Sequence, residues 1–392
     1  MKILFVAPWV PSSLRPRSLS LLSLLTTEHE VHFLAAARTD SDRRLAEELT
    51  GCASVTVVDD RRWRSLMRVG LALLRGKSLQ TAYADSRALR RALGDMLSRL
   101  DPDVVHFNVF RTAHLVPLAY GATSVIDLDE YRSEYYEQLA RNHPGWIWRT
   151  LGKYEAKRMA AAEKRLQSSG CTILLSAPRL PETPPNVFNV PSVSLLPAMG
   201  SAPIAPAAQT VVFVGRLTYE ANQDAVRWFV DECWEGVLAA VPGARLLVVG
   251  DRPPRDIAEF AGTSISVTGH VASVAPYYQQ ASVVVAPIRR ATGVQMKLIE
   301  GLSFGKPVVC TPLVARLAGV RHGEEVLVAA DPTDWISAVV ALLRDPGTAA
   351  SVGARGRRWV DANHSRETQR VRLAEAYSSA VGAHLGVSSN RL

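Results

Sequence analysis

The fold of this chain is decided by one segment, which reads Ala291-Thr292-Gly293-Val294-Gln295-Met296-Lys297-Leu298-Ile299-Glu300-Gly301-Leu302-Ser303-Phe304-Gly305-Lys306-Pro307-Val308-Val309-Cys310-Thr311. It joins two apolar runs, Ser282 to Ala286 and Val308 to Thr311, that predict strands. Between them, apolar residues recur every four positions from Val294 to Leu302 and predict an amphipathic helix. A strand, a helix and a second strand in this order form the repeating unit of a parallel sheet.

The same segment carries residues that suit a phosphate ligand. Gly293 is expected where the helix begins, so its backbone can approach a ligand closely. Free amides at a helix N-terminus and the ammonium of Lys297 attract phosphate. The carboxylate of Glu300 can accept hydrogen bonds from sugar hydroxyls. The alternative is that Lys297 and Glu300 form an ordinary ion pair on the helix surface.

Strands and helices alternate along the whole chain, which predicts doubly wound α/β sheets. The other strand-like runs are Ile3 to Ala7, Val31 to Ala35, Ser54 to Val58, Val104 to Phe107, Ser124 to Leu128, Thr172 to Leu175, Val211 to Val214, Arg245 to Val249 and Ser264 to Val267. The proline-rich stretch 178–208 separates two such series, so we place a domain boundary near Ala205. We expect a first domain over residues 1–205, a second over 206–365 that faces it across a cleft, and a last helix and tail over 366–392.

Composition excludes several classes of protein. A chain with 47% hydrophobic and 21% charged residues is typical of globular proteins and not of disordered ones. Its four cysteines, at positions 52, 171, 233 and 310, are far apart, which argues against disulfides and zinc sites and favours a reducing compartment. The net charge of +8 is compatible with anionic ligands, nucleic acid or an anionic membrane, and selects none of them.

The N-terminal region argues against a leader and against a dehydrogenase. The first apolar run is too short for a signal peptide, and no run reaches the ~18 residues of a membrane span, so we expect a cytoplasmic protein. The loop over residues 8–17 has no glycine, so the G-x-G-x-x-G dinucleotide fingerprint is absent after the first strand. Arg15 and Arg17 in this loop could hold an anion or only be solvated.

Two stretches of the first half combine basic with aromatic and apolar residues, Arg61 to Leu79 and Trp146 to Leu166. We expect helices that bury one apolar face in the core and expose their charges to water. The alternative is a peripheral contact with the anionic inner face of a membrane.

Polar residues end two strands of the first half. His106 and Asn108 end one of them, and Asp127 and Asp129 end the next. In a doubly wound sheet such side chains line the ligand crevice. His106 could instead be a structural imidazole in the core.

Strand ends of the second half carry glycine together with polar side chains. Gly215 permits a close turn, and Arg216 then projects toward the ligand crevice. Asn222 is expected to cap the following helix. After a later strand, His270 offers its ring, and the backbone up to Val271 offers groups that suit the edge of a base.

Together these motifs resemble the donor half of a GT-B glycosyltransferase. The retaining enzymes of family 4, with the pattern G-x-x-x-K-x-x-E-A-x-A-x-G-x-P-V-V, are most similar, and among them the sugar transferases of exopolysaccharide clusters. The residues that carry this resemblance are Phe213 to Leu217, Tyr219 to Phe229, Val248 to Gly250, Gly269 to Val271, Gly293 to Val309 and, more weakly, Val125 to Ser133.

The resemblance implies two Rossmann-like domains, a last helix that crosses back to the first domain, and transfer of a sugar with retained anomeric configuration. The donor would be a UDP-, GDP- or dTDP-sugar, and the acceptor a saccharide, a lipid-linked saccharide or a natural product, with no metal and no other cofactor. Asp127-x-Asp129 lies in the wrong half to hold a metal for the donor phosphates. The implied site residues are Arg216 and Lys297 for the diphosphate, Glu300 for the ribose, His270 and Val271 for the base, Gly215, Thr292, Gly293 and Val294 around the donor, and His106 and Asp129 on the acceptor side, with His106, Asp129, Arg216 and Lys297 as the catalytic set.

Three positions depart from the family pattern. Thr292 stands where many relatives carry the first glutamate of an E-x7-E pair, which leaves the donor sugar open. The region from Thr218 to Asn222 lacks the lysine that often follows the Gly-Arg-Leu motif. Residues 12–16 replace a glycine-rich loop.

Two other functions fit the same motifs. A nucleotide-sugar 2-epimerase would share the nucleotide site and need no acceptor. A non-catalytic, membrane-associated relative would bind nucleotide weakly and liposomes strongly. Nucleic-acid binding rests on net charge alone, because no RRM, zinc or helix-turn-helix pattern occurs.

Overall fold

The computed structural model describes residues 1–12, 15–119, 121–143, 145–178, 183–196 and 209–389. By its internal contacts the chain divides into two units, one of Met1–Pro191 with Gln369–Leu392 and one of Ser192–Thr368. The boundary expected near Ala205 lies outside the described residues.

A seven-stranded parallel sheet forms the centre of the first unit. Its strands are β1 (Lys2–Ala7), β2 (Glu30–Ala37), β3 (Ser54–Asp59), β4 (Val104–Asn108), β5 (Thr123–Asp129), β6 (Thr172–Leu175) and β7 (Val187–Asn189). The strand order is β3-β2-β1-β4-β5-β6-β7, so the order in which strands are added to the sheet reverses between β1 and β4. Doubly wound sheets bind ligands beyond the carboxyl ends of the strands at such a point.

Both faces of this sheet are covered. Leu4 and Val6 of β1 pack into the core on one face, while Ile3 and Phe5 pack into the core on the other, and all four are fully buried. The helices of this unit are α1 (Pro16–Glu28), α2 (Asp40–Glu47), α3 (Arg62–Leu74), α4 (Leu79–Ala84), α5 (Arg87–Leu100), a 3-10 helix (Phe110–Ala119), α6 (Arg132–Asn142) and α7 (Trp146–Ser168). Burial on two faces is the reason that the strands read as continuous apolar runs.

A six-stranded parallel sheet forms the centre of the second unit. Its strands are β8 (Thr210–Val214), β9 (Arg245–Val249), β10 (Ile265–Val267), β11 (Val283–Ala286), β12 (Val308–Cys310) and β13 (Leu327–Val328). The strand order β10-β9-β8-β11-β12-β13 makes β8 and β11 neighbours, so the loops after these two strands emerge side by side. The prediction of two doubly wound parallel sheets is confirmed.

The second unit surrounds its sheet with helices. They are α8 (Glu220–Phe229), a π-helical turn (Val230–Trp234), α9 (Glu235–Ala240), α10 (Arg255–Ala258), α11 (Ala275–Gln280), α12 (Met296–Ser303), α13 (Pro312–Ala318), α14 (Pro332–Arg344) and α15 (Pro346–Asn363). The core-facing side of α8 and its continuation buries Val226, Phe229, Cys233 and Val237, and Phe229 meets the fully buried Trp335 edge to face at 5.6 Å between ring centroids.

The last helix, α16 (Arg366–Ser389), returns to the first unit as expected. Leu373, Ala376 and Tyr377 lie in the core on the same face of the sheet as Phe5. The Ser20 hydroxyl donates a hydrogen bond to the side chain of Gln369. The C-terminal segment therefore completes the core of the N-terminal unit.

Helix α3 contradicts the expectation of a core-facing apolar side. It buries only Ser65 and Ala72, while its large apolar side chains are exposed, Leu74 by 85%. None of the helices among the described residues is long and apolar enough to cross a membrane.

Candidate active site

A tight turn follows β8 and holds the end of this strand against β9. The amide of Gly215 donates to the carbonyl oxygen of Val249 at 2.9 Å. A Cβ on Gly250 would lie 2.0 Å from the carbonyl oxygen of Gly215, so only glycine fits there. Arg216, at the tip, is exposed, and its side chain forms no hydrogen bond or ion pair with a described residue. Its guanidinium is therefore available to a ligand, and its role at the diphosphate stays a prediction.

Asn222 joins this turn to the lysine that follows β11. It is the third residue of α8 and not its N-cap, a position that Tyr219 occupies, so the predicted capping role is wrong. Its Nδ2 donates to the carbonyl oxygen of Arg216 at 2.8 Å, and its Oδ1 accepts from Nζ of Lys297 at 3.0 Å. A Cβ on Gly215 would lie 2.8 Å from Nδ2, so glycine leaves room for the amide.

Lys297 lies in the first turn of α12, which begins at Met296. Its side chain is 6% exposed, and Nζ lies 5.3 Å from the ring centroid of Phe213. Within the described part of the chain no carboxylate lies within 4.0 Å of this ammonium. Burial lowers the pKa of Lys297 to about 8, and the charge of Glu300 opposes this shift. A buried cation without a counter-ion at a helix N-terminus is suited to an anionic ligand.

Glu300 does not form the surface ion pair that the sequence left open. Its Oε2 accepts a hydrogen bond of 2.8 Å from Oη of Tyr278, which is fully buried and stacks on Phe304. Burial raises the pKa of Glu300 to about 7, while the hydrogen bond from Tyr278 and the charge of Lys297 act in the opposite direction. The carboxylate is therefore held in place and poised near neutral pH.

Gly293 lies outside the helix that it was expected to begin. It is buried with Thr292 in the segment between β11 and α12, and its carbonyl oxygen accepts from Nε2 of Gln295 at 3.0 Å. Val294 is half-buried against the core. The free amides of the helix N-terminus thus belong to the residues from Met296 onward.

His270 and Val271 follow β10. In the sheet, β9 lies between β10 and β8, the strand that leads into the Gly215 turn. The ring of His270 is 75% exposed, and its Nδ1 lies 3.8 Å from Oδ1 of Asp251. Val271 packs partly against the core. His270 therefore contacts Asp251 and not the pair formed by Asn222 and Lys297.

His106 lies in the core of the first unit. Its ring is fully buried, stacks on Phe5 at 4.5 Å between centroids, and shares a hydrogen bond of 2.7 Å between Nδ1 and Oη of Tyr377. Burial, with the nearby charge of Arg17, lowers the pKa of His106 to about 3, so the ring is neutral at physiological pH. These contacts are those of a structural imidazole, the alternative that the sequence left open.

Arg17 meets both carboxylates at the end of β5. Its guanidinium lies 2.6 Å from Oδ1 of Asp127 and 3.4 Å from Oδ1 of Asp129, and it donates to the carbonyl oxygen of Val190 at 2.7 Å. Arg17 is therefore neither an open anion site nor a solvated loop residue, which were the two predicted roles. Asp129, with 43% of its side chain exposed, lines a cavity in the first unit. Among the described residues no group of three or more His, Cys, Asp and Glu side chains is placed to hold a metal ion.

Two residues that contact Lys297 and Glu300 in the second unit were not predicted as site residues from the sequence. Asn222 had a signal, because a polar residue one turn into a helix after a Gly-Arg turn can reach back to that turn. Tyr278 had none, because a lone tyrosine 22 residues before Glu300 reads as an ordinary core residue.

The comparisons with known proteins fit this geometry. Residues 208–345, roughly a third of the chain, match the family model described as "Glycosyl transferases group 1". The matched range contains Gly215, Asn222, Lys297 and Glu300. No curated protein sequence matches the chain.

Several solved structures are similar over nearly the whole chain. Sucrose-phosphate synthase from Thermosynechococcus elongatus has 14% identity and a TM-score of 0.70, over 97% of this chain and 99% of that one. HepE of Anabaena in complex with UDP-glucose has 13% identity and a TM-score of 0.61, over 97% and 100%. A glycosyltransferase from Rickettsia africae has 11% identity and a TM-score of 0.63, over 97% and 98%. At these identities the likeness shows the fold, which is the predicted GT-B fold, and with the family match it supports the prediction of a glycosyltransferase enzyme.

Proposed function

We propose that this chain is a retaining glycosyltransferase that moves a sugar from a nucleoside-diphosphate sugar to a hydroxyl group of an acceptor. The observation that carries the proposal is Lys297, a buried cation in the first turn of α12 that has no carboxylate partner among the described residues. It lies within residues 208–345, the range that matches the glycosyl transferases group 1 family.

Charge stabilisation is the main task of these residues. The reaction breaks the bond between the anomeric carbon and the diphosphate oxygen and forms a bond from that carbon to the acceptor oxygen. The departing diphosphate gains negative charge and takes up the proton of the acceptor hydroxyl. Lys297 and the amides of the first turn of α12 would offset this charge, and Arg216 would supply a second cation from the turn after β8.

Glu300 would hold the ribose. Tyr278 occupies its Oε2, and Oε1 has no hydrogen-bond partner among the described residues, so this oxygen can accept from ribose hydroxyls. With a pKa of about 7, Glu300 is roughly half ionised at neutral pH. Hydrogen bonds from the ribose favour the ionised form, so the donor would lower that pKa.

The remaining roles follow the resemblance of the donor motifs. His270 and Val271 would meet the base, since the His270 ring is exposed beyond β10. Retention of the anomeric configuration rests on the likeness to family 4. Thr292 puts a neutral group where many relatives carry a carboxylate, and we propose that it affects the choice of donor sugar.

A UDP-sugar is the first donor to test. HepE of Anabaena has been solved with UDP and with UDP-glucose, and a TarM variant of S. aureus with UDP. A thermal-shift panel of UDP, GDP, dTDP and ADP at equal concentration would identify the base, because stabilisation by a ligand grows with the logarithm of its concentration over its dissociation constant. We expect UDP to give the largest rise. No rise with any of the four would contradict a nucleotide site.

Product analysis separates transfer from epimerisation. The enzyme is incubated with a nucleotide-sugar that carries the base identified by the thermal-shift panel. The incubation is run with and without a mixture of saccharide and lipid-linked acceptors. A glycosyltransferase forms a new glycoside only when an acceptor is present, and NMR of its anomeric proton gives the configuration. Interconversion of the nucleotide-sugar without an acceptor would support the epimerase instead.

We further propose that the first unit contacts an anionic membrane surface. Nine large apolar side chains of α3 and the start of α7 are exposed: Trp63, Leu66, Met67, Leu71, Leu73, Leu74, Trp146, Ile147 and Trp148. Residues 61–77 contain six basic side chains and no acidic one. The two helices adjoin, since Oη of Tyr154 in α7 donates to the carbonyl oxygen of Ala72 in α3 at 3.4 Å. Apolar and aromatic groups bordered by cations are typical of a bilayer interface.

Sedimentation with vesicles tests this contact. We expect wild type to bind vesicles of phosphatidylglycerol and phosphatidylcholine more strongly than vesicles of phosphatidylcholine alone, and less strongly in high salt. Leu74→Glu should weaken binding several-fold, because Leu74 is 85% exposed in this patch. Val371→Glu, at an exposed valine outside the patch, is the control. Equal sedimentation of both variants with wild type would contradict the contact.

A further inference from the structure

A cavity of about 160 Å³ lies at the carboxyl ends of β4 and β5, within the first unit. At roughly 30 Å³ per water, it has room for about five waters, or for one small polar group. Its apolar lining includes Val109, Phe110 and Met159, and its polar lining is formed by Gln80, Arg111, Asp129 and the ion pair of Glu130 with Arg132. Nothing in the donor chemistry uses this cavity.

Two lining residues hold strained backbone. Val109 has φ +62° and Asp129 has φ +66°, although neither is glycine. For a β-branched residue the left-handed region is sterically unfavourable. The amide of Val109 donates to the carbonyl oxygen of Asp127 at 2.7 Å, so the strain is fixed by the sheet beside it. Strain of this kind accumulates at binding sites, where it sets the direction of side chains.

Arg111 is a largely enclosed cation without a counter-ion. Its Nε donates to Oε1 of Gln80 at 2.8 Å, and within the described ranges no carboxylate lies within 4.0 Å of its guanidinium. Burial, with the charge of Arg132, lowers the pKa of Arg111 to about 10. A guanidinium can bind an oxyanion through two parallel hydrogen bonds, and here only Nε has a hydrogen-bond partner among the described residues.

Trp9 gives this cation its position and adds an unused donor. The guanidinium carbons of Arg15 and Arg111 lie 4.5 and 5.1 Å from the centroids of its ring system. Its Nε1 is buried and has no hydrogen-bond partner among the described residues. A third cation, Arg38, lies over the ring of Tyr83 at 4.9 Å, and Arg111 lies 5.5 Å from the same ring.

We propose that this cavity binds an oxyanion, a phosphate or carboxylate group carried by the acceptor, with Arg111 as its principal ligand. Trp9 and Val109 would shape the opening, and Asp129 would face the acceptor hydroxyls. The identification of the bound molecule as the acceptor rests on the proposed function. The oxyanion site itself does not.

Inorganic phosphate and glucuronate are the probes, each titrated against the full chain in the presence of saturating UDP, which blocks the donor site. We expect at least one of them to raise the unfolding temperature of wild type, with glucose and sodium chloride at matched ionic strength giving no rise. In Arg111→Gln the apparent affinity should fall at least tenfold. Arg141→Gln, at an arginine whose side chain is 76% exposed, should bind like wild type.

The outcomes separate the two proposals. Equal affinity in Arg111→Gln and wild type, or no response of wild type to either probe, overturns the oxyanion site. If another nucleotide of the panel binds and UDP does not, that nucleotide takes the place of UDP in these titrations. Failure of all four nucleotides to bind overturns the proposed function and leaves the oxyanion site to be judged from titrations without nucleotide in Lys297→Met, which lacks the donor-site cation. If Arg111→Gln does not fold, phenylglyoxal modification of wild type decides. Phosphate should slow modification of Arg111, measured by peptide mass spectrometry, and an unchanged rate overturns the proposal.

Discussion

The ammonium of Lys297 lies 3.0 Å from Oδ1 of Asn222, and Nδ2 of the same asparagine lies 2.8 Å from the carbonyl oxygen of Arg216. One buried amide thus joins the turn after β8 to the first turn of α12. Because the amide is neutral, it fixes the direction of Lys297 without neutralising its charge. A carboxylate at this position would direct the ammonium equally well and remove the charge that a diphosphate needs.

Two substitutions of Asn222 should therefore weaken the donor site for different reasons. Asn222→Ala removes a hydrogen bond to a charged group, worth about 1.5–3 kcal/mol, so UDP affinity should fall about ten- to a hundredfold. Asn222→Asp keeps the geometry but supplies a counter-ion, and it should also lose affinity. Calorimetric titration measures both.

Gln223→Ala is the matched control for these variants. Its side chain lies on the same helix and donates to the carbonyl oxygen of Leu217 at 2.7 Å, with no contact to Lys297. It should bind UDP within about threefold of wild type. If Asn222→Asp bound UDP as well as wild type, the neutrality argument would be wrong.

Gly215→Ala should disturb the same amide from the opposite side. The added Cβ would lie 2.8 Å from Nδ2 of Asn222, so the side chain must move and Lys297 loses its partner. We expect UDP affinity to fall at least tenfold with little change in circular dichroism. Gly262→Ala, where the nearest atom would be 3.9 Å away, is the control. Undiminished affinity in Gly215→Ala would show that Asn222 does not position the lysine.

Relative to wild type, Glu300→Gln should become more stable as pH rises. The pKa of Glu300 in the folded chain, about 7, lies above its ordinary value of 4.5, so the folded state binds this proton more tightly than the unfolded state. The stability of wild type therefore falls as pH rises through this window, and glutamine removes that loss. The unfolding temperature of Glu300→Gln relative to wild type should be higher at pH 8 than at pH 5, while UDP binding weakens. Glu259→Gln, at an exposed side chain, should show no such trend, and an equal difference at both pH values would contradict the account.

His106 should prove structural when tested by a double-mutant cycle. His106→Phe leaves the buried hydroxyl of Tyr377 without its partner, a cost of about 1–3 kcal/mol, and should lower the unfolding temperature. Tyr377→Phe should do the same, and the double variant should be less destabilised than the sum. Transfer rates should stay within about threefold of wild type. Loss of turnover in His106→Phe at an unchanged unfolding temperature would restore the catalytic role.

The sheets could be predicted from the sequence because most of their long strands, such as Lys2–Ala7 and Val104–Asn108, are buried on both faces. Thr172–Leu175 and Arg245–Val249 begin and end where the apolar runs do. The missed strands are Val187–Asn189, within the proline-rich stretch, and Leu327–Val328, which has only two residues. Such short strands form because a neighbouring strand offers an open edge. The residues of that neighbouring strand lie elsewhere in the chain, so the local sequence does not reveal the pairing.

The candidate site could be predicted only where glycine or charge marks it. Gly215, Arg216, Lys297 and Glu300 were all identified from their place at strand ends and in one helix turn. The partners of Lys297 and Glu300 could not be predicted, because Asn222 and Tyr278 lie 75 and 22 positions away and are brought close only by the fold. The exposed face of α3 was misjudged because an apolar stripe has the same pattern whether a core or another surface covers it.

Calorimetric titration of UDP into wild type and Lys297→Met at pH 7 and pH 9 tests the central claim most directly. Because burial lowers the pKa of Lys297 to about 8, the ammonium is mostly charged at pH 7 and mostly neutral at pH 9. We predict that wild type binds UDP about tenfold more weakly at pH 9 than at pH 7. Lys297→Met should bind UDP weakly at pH 7 and should not lose this tenfold in affinity at pH 9. The control, Lys306→Met, should behave as wild type at both pH values. Binding of UDP by Lys297→Met as tight as that of wild type at pH 7 would contradict the assignment of this lysine to the diphosphate.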